Sequence, residues 1–184
     1  MNFLLIVDLI VLALITVVLF VITGSNILGL ICSAGVPFIP LTRAKLKFLD
    51  EKIKLDAGAR LVDLGCGDGR VLQLFEKQGV KNSVGYEVNW WAALQARWRK
   101  RFFDLTVEIR RQNFLRTDLS GFNVVFCYLM PQALLRLREK FDRELRPGTK
   151  IVSYDFEIED WRPAQDVFEE GKGRKKNKIF VYEV

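Results

Sequence analysis

The longest apolar stretch in the chain runs from Phe3 to Thr23, FLLIVDLIVLALITVVLFVIT, with Asp8 as its single formal charge. As a helix it rises about 31 Å at ~1.5 Å per residue, enough to cross a hydrocarbon core of ~30 Å. Asp8 near one end costs ~3 kcal/mol or less, and the surrounding Leu, Ile, Val and Phe residues outweigh it. No basic n-region, short apolar core or small-x-small cleavage site precedes Gly24, so the pattern predicts an uncleaved anchor over residues 1–24. Basic residues are absent before this span, whereas Arg43, Lys45 and Lys47 follow it. The positive-inside rule then predicts a single-pass membrane protein with its N-terminus outside and its C-terminal body in the cytoplasm.

Residues 25–41 are apolar but interrupted by Gly29, Gly35, Pro37 and Pro40, which predicts a connector packed on the body or lying at the bilayer surface. From residue 42 to 184 the pattern alternates. Thr42 caps RAKLKFLDEKIK, an amphipathic helix with Leu46, Leu49 and Ile53 on one side. RLVDLG reads as a buried strand, Arg70 to Gln78 as a helix, and NSVGYEV as a second strand. Asn89 caps WWAALQARWRKRF, LTVEIRRQ is a third strand and FNVVFCYL a fourth. Pro131 opens a helix that Pro147-Gly148 closes, and TKIVSYDF is a fifth strand. Such alternation predicts an α/β domain with a parallel sheet. DVFEEG and NKIFVYEV lie only hairpin distance apart, so the sheet is expected to close with an antiparallel pair.

Composition narrows the chemistry. The chain of 184 residues has room for one domain and an appendage. It contains no His, which excludes Ser-His-Asp catalysis and His-ligated metals, and its three cysteines, Cys32, Cys66 and Cys127, are too widely spaced for a metal or redox motif. No metal is expected, and a reducing compartment suits the thiols. The net charge is +6, and the part after residue 36 carries one positive charge more, because Asp8 is the only charged residue before it. Tethered at a membrane, such a body is expected to meet an anionic lipid surface or an acidic partner, with nucleic acid the less favoured candidate.

VDLGCGDGR, Val62 to Arg70, falls where the first strand turns into the next helix. Its three glycines permit tight turns and close ligand approach. Arg70 stands where the nicotinamide fingerprint needs a glycine, and Asp63 and Asp68 make the loop a poor host for a pyrophosphate but a good one for a cation. S-adenosyl-L-methionine offers an ammonium, a sulfonium and a carboxylate that helix-start amides can take. Glu87, ending the second strand, suits the two ribose hydroxyls.

VDLGCGDGR followed by Glu87 resembles the first motifs of the class I, seven-strand methyltransferases, whose Rossmann-like sheet has the outline given above. VPFIPLT at 36–42, YLMP at 128–131 and RPGTKIVSYDF with its following DW resemble the membrane-anchored protein-lysine methyltransferases of the ATP synthase c-subunit and adenine nucleotide translocase, and their prokaryotic relatives. The resemblance covers about residues 36–164. It implies that Asp63, Gly65, Cys66, Gly67 and Asp68 surround the methionine moiety, that Glu87 holds the ribose, and that Asn113 and Phe114 meet the adenine. It further implies that Pro37, Phe38, Pro40 and Thr42 close over the cofactor and the lysine entrance, with Pro131 beside them, and that the partner is a lysine-bearing membrane protein.

Methyl transfer from a sulfonium is an in-line displacement needing alignment and a neutral amine, not a metal or an imidazole. Tyr128, ending the fourth strand, is the candidate for orienting the amine and Asp155, ending the fifth, for positioning it; Phe38 or Phe156 would wall the channel. Methylation of a lipid or small molecule, or a nonenzymatic scaffold retaining the fold, are the rival readings. Trp90, Trp91 and Trp98 with Arg97, Arg99, Lys100 and Arg101 form an aromatic-basic helix suited either to packing or to the bilayer surface.

Overall fold

The computed structural model of the chain describes residues 3–32, 39–168 and 177–184. Helix α1, Phe3–Cys32, does not stop at Gly24. A glycine costs only ~1 kcal/mol in a helix interior, too little to end one this apolar, so the first part of the expected connector is helical. Within α1, Leu4–Gly24 is long and apolar enough to cross a membrane, and none of it is buried against the rest of the protein. Its two threonine hydroxyls donate to carbonyls four residues back, Thr16 to Leu12 and Thr23 to Leu19, both at 2.8 Å, leaving no free hydroxyl hydrogen to solvate.

The remaining elements follow in the alternating order read from the sequence. Helix α2 (Arg43–Lys52) precedes β1 (Arg60–Leu64), α3 (Arg70–Lys77), β2 (Asn82–Tyr86), α4 (Trp90–Phe102) and β3 (Glu108–Arg110). Then come β4 (Val124–Cys127), α5 (Pro131–Glu144), β5 (Lys150–Tyr154), β6 (Gln165–Phe168) and β7 (Lys178–Glu183). The seven strands form one sheet in the order β3-β2-β1-β4-β5-β7-β6. The first five are parallel, while β7 pairs antiparallel with both β5 and β6. The GKGRKKNK tip of the closing hairpin lies almost wholly outside the described residues.

Central strands read as continuous apolar runs because both faces of the sheet are covered. Along β4, Val124 and Phe126 enter the cluster that α2 and α3 cover through Leu49, Leu72 and Phe75. Val125 and Cys127 enter the opposite one, with Leu134, Leu137 and Phe141 of α5. The third strand is shorter than LTVEIRRQ suggests: at the sheet margin only three residues pair, with exposed Glu108 and Arg110 forming an ion pair at 2.7 Å.

One close approach fixes the site-bearing part of the sheet. A Cβ on Gly85 of β2 would lie 2.6 Å from both Cys66 Sγ and Leu72 Cδ1. The glycine is there to let the β1–α3 turn settle onto β2. Gly85→Ala is therefore expected to destabilise the chain by about 1–3 kcal/mol through overpacking and to weaken cofactor binding with it. Denaturant midpoints and calorimetry of wild type and variant check this; equal midpoints would show that the turn has room to give.

Candidate active site

Four proposed site residues follow directly on strand ends: Gly65 after β1, Glu87 after β2, Tyr128 after β4 and Asp155 after β5. Strand order reverses between β1 and β4, which is where an open α/β sheet leaves a crevice. Gly65, Gly67 and Gly69 have φ of 81°, 56° and 77°, values that residues with a Cβ seldom adopt. The amides of Gly65 and Cys66 both donate to Tyr86 O, at 2.9 and 3.0 Å. Glu87 accepts from Gly67 N at 3.0 Å and from Asn89 N at 2.8 Å, while Asn89 caps α4 through Ala92 N at 3.0 Å. The turn after β1 and the turn after β2 are thus clamped through one carboxylate.

The structure divides the acids that the sequence grouped together. Asp63 is 2% exposed, and its Oδ2 is a buried acceptor with no partner. Burial, reinforced by the charges of Glu87 and Asp68, pushes its carboxyl well above the ordinary range. Glu87 is also raised by burial, against the pull of the amides of Asn89, Gly67 and Val88. Burial would likewise raise Asp68, but Arg70 and Arg99 hold it below the usual carboxylate value. Arg70 Nε and Nη2 donate to it at 2.8 and 2.6 Å, and Arg99 Nη2 at 2.8 Å. Arg70, at the position where a dinucleotide loop would have a third glycine, instead neutralises Asp68. Asp63 and Glu87 are left as the acids without a cationic partner at this turn.

Two of the other expected cofactor contacts lie on the loop after β3 and one within this turn. Asn113 is the cap of a 3₁₀ turn, Phe114–Arg116, and accepts from Leu115 N at 2.9 Å; Phe114 is buried. They do not end β3 but follow it, on the loop beyond Arg110, whose carbonyl accepts from Glu87 N at 3.1 Å. Cys66 contributes its amide to the turn, while its thiol packs inward against Gly85. Burial first, then the charges of Asp63, Glu87 and Asp68, raise the Cys66 thiol well above the ordinary value, and burial pushes Cys127 up to about 12. Both stay protonated and unreactive.

On the β4–β5 side a second constellation forms around an amine that sequence reasoning missed. Lys45 Nζ donates to Tyr128 Oη at 2.9 Å and is ion-paired to Asp155. It also lies over the rings of Tyr128 and Tyr154, 4.7 and 5.3 Å from their centroids. Those rings meet edge to face at 5.6 Å, and Tyr154 Oη donates to Lys45 O at 3.3 Å. Asp155 has φ 66°, a left-handed conformation that turns the chain sharply at the strand end. Phe156 is half-buried against the α5-side core. A Cβ on Gly65 would lie 3.3 Å from Leu129 Cδ2, so the residue after Tyr128 abuts the glycine turn. Thr42 caps α2 by accepting from Lys45 N at 3.3 Å, Pro40 is exposed, and Pro131 is the exposed first residue of α5. Pro37 and Phe38 lie outside the described residues.

The profile of the ANTKMT methyltransferase domain matches residues 63–165, which contain the glycine turn, Glu87, Tyr128 and Asp155. The chain belongs to the ANTKMT methyltransferase family. It is 31% identical to a protein-lysine N-methyltransferase of Saccharolobus islandicus over 155 residues, covering 80% of this chain and 92% of that one. It is 28% identical to the human lysine N-methyltransferase of the ATP synthase c-subunit over 129 residues, covering 69% of this chain but only 54% of the relative. A solved RNA methyltransferase of Salinibacter ruber in complex with S-adenosyl-L-homocysteine aligns at 28% identity with a TM-score of 0.70, covering 79% of this chain and 93% of that one.

Like its family, the protein is an S-adenosylmethionine-dependent methyltransferase. The residues fit that cofactor: the orphaned Asp63 Oδ2 wants a donor, and Glu87 beside it has no cationic partner among the described residues. Among the described residues no cluster of three or more potential metal ligands occurs.

A buried carboxylate with a raised pKa has a defined pH signature. Between the ordinary Asp value and the raised folded value, the folded chain keeps a proton that the unfolded chain has released. Stability therefore falls as pH rises through that window. Asp63→Asn is expected to stabilise the cofactor-free protein by about 1–3 kcal/mol at neutral pH, with a shrinking advantage toward acid, while losing cofactor affinity. Thermal melts across pH check the sign; a variant less stable than wild type at neutral pH would show that Asp63 is not strained there.

Proposed function

We propose that this methyltransferase is a membrane-anchored protein-lysine N-methyltransferase whose acceptor is a lysine on a membrane protein. The observation that carries the reading is the ammonium pocket at the ends of β4 and β5: Tyr128, Tyr154 and Asp155 already surround a lysine Nζ beside the glycine turn. Two aromatic faces, a hydroxyl and a carboxylate suit a cationic amine and offer little to a nucleobase edge. The human relative named for the ATP synthase c-subunit supports a membrane protein as acceptor. The Salinibacter relative, an RNA methyltransferase, keeps RNA as an alternative to be tested.

When bound, S-adenosylmethionine supplies an activated methyl group. In this reading Asp63, Gly65, Gly67 and Glu87 hold its methionine and ribose portions and Asn113 with Phe114 the adenine, while Asp68 acts at one remove by fixing Arg70 and Arg99. Tyr128 orients the acceptor nitrogen and Asp155 positions it and takes its proton. Phe156, Pro40, Thr42 and Pro131, with Pro37 and Phe38, frame the entrance. Residues 1–24 anchor residues 42–184, and the basic residues after the span favour a cytoplasmic catalytic domain.

An anionic lipid surface is the second partner in this reading. Trp98 is 60% exposed and Phe102 82%, on an α4 that also carries exposed Arg97 and Arg101 and that lies next to α1. Exposed rings among basic side chains suit the head-group layer. With the full chain inserted through α1 in phosphatidylserine-containing nanodiscs, Trp98→Ala with Arg101→Glu should reduce protection of α4 by the head groups, read by hydrogen exchange. Unchanged protection of α4 in that variant removes the lipid role.

The function itself is tested by incubating purified protein with native membranes and methyl-labelled cofactor, followed by mass spectrometry of the labelled material. Label on lysine of a membrane protein is expected; label in the organic phase or in RNA selects a rival. Asp63→Ala and Glu87→Ala should abolish labelling. Tyr128→Phe and Asp155→Asn should lower kcat about 10- to 100-fold while cofactor binding, read by calorimetry, is retained. Retained activity in the last two variants would move the acceptor site elsewhere.

A further inference from the structure

We propose that Lys45 is itself a methyl acceptor of this enzyme, so that the protein modifies its own α2. The inference rests on the lysine-methyltransferase reading and adds a residue which that reading does not require. Lys45 stands apart from the other lysines of the described chain. Lys47 and Lys54 reach across the exposed surface of α2 to Glu51 and Asp50, at 3.8 and 3.4 Å. Lys140 is buried but meets only Glu144 on its own helix, at 2.7 Å. The Lys45 side chain is 19% exposed, against 80% for Lys47, and its ammonium enters the crevice between the ends of β4 and β5.

What surrounds it there is what an incoming acceptor lysine would need. Tyr128 Oη takes one hydrogen, Asp155 takes another, and the faces of Tyr128 and Tyr154 cover the charge. The backbone delivers the side chain deliberately: Thr42 caps the helix start through Lys45 N, Tyr154 Oη holds Lys45 O, and Arg70 of the cofactor turn donates to Leu41 O. The lysine that occupies the pocket is therefore tied to both halves of the site.

The reaction balances with the cofactor that the family uses. After passing one proton to the Asp155 carboxylate, Nζ forms a bond to the methyl carbon with its lone pair. The carbon–sulfur bond breaks with its electrons on sulfur, which leaves as S-adenosylhomocysteine. The product is a methylammonium with one N–H donor fewer, still suited to the two ring faces.

The test uses the purified full chain in detergent micelles and needs no external substrate. Without cofactor, reductive methylation by formaldehyde should modify Lys45 about tenfold more slowly than Lys47, because its Nζ is held and partly buried. With deuteromethyl S-adenosylmethionine, the peptide containing Lys45 should gain labelled methyl mass at a rate independent of protein concentration, and Lys45→Arg should lose that label. Lys45 reacting as fast as Lys47 overturns the proposal. So does label on membrane proteins in the native-membrane assay with Lys45 unmodified, an outcome that leaves the lysine-methyltransferase reading standing. Absence of cofactor binding by calorimetry sinks both.

Discussion

Two carboxylates, Asp63 and Glu87, are kept in the dry seam where β1 and β2 leave the sheet, and the cofactor half of the molecule is organised around holding them there. Each is pushed toward its neutral form by burial, and Glu87 raises Asp63 further. Left alone, such a pair would relax by moving apart or drawing in water. Here the chain cannot relax: Gly85 admits the turn, Tyr86 O takes two of its amides, and Glu87 is fastened at both oxygens. In the proposed reading, this unfavourable arrangement, retained by the surrounding packing, is affinity held in reserve for a cation. The third acid, Asp68, differs in being already neutralised by two arginines.

The second half of the site is coupled to the first through α2. The segment leading into this helix gives Leu41 O to Arg70, and Arg70 belongs to the cofactor turn; one helical turn later Lys45 enters the ammonium pocket. Leu129, next to Tyr128, touches the space above Gly65. A shift of α2 would thus be felt at both ends, by the Asp68–Arg70 pair and by Tyr128 with Asp155. In the proposed reading, this coupling is what lets α2 respond to cofactor and acceptor together.

Much of this was legible in the chain. Period and punctuation located every helix and strand of the domain, because each apolar run was bounded by a cap, a glycine or a proline, as at Thr42, Asn89 and Pro147-Gly148. The antiparallel closure of the sheet followed from the hairpin spacing at its end. Strand β3 was overestimated because β propensity persists where pairing partners run out. Helix α1 was underestimated because Gly24 looked like a stop. The pairing of Asp68 was hidden since local sequence shows the carboxylates but not Arg99, 31 positions away along the chain. Lys45 was invisible as a site residue for the same reason: its partners are separated from it by 83 and 110 positions. Contacts of that kind belong to topology, and no spacing rule encodes them.

The acceptor pocket poses a protonation problem that the two halves solve together. Burial pulls the Lys45 ammonium down, yet hydrogen bonds to Asp155 and Tyr128 outweigh it and hold the pKa above the ordinary lysine value. A pocket that binds the cation so well disfavours the neutral amine that must attack. A further positive charge changes the balance: two unit charges about 5 Å apart repel by ~3 kcal/mol at an effective dielectric of ~20, or about two pKa units. A cation in the neighbouring crevice therefore shifts an amine held by Tyr128 and Asp155 toward its neutral form. In the proposed mechanism, cofactor occupancy then favours passage of the proton to Asp155, a route to the nucleophile that requires no histidine.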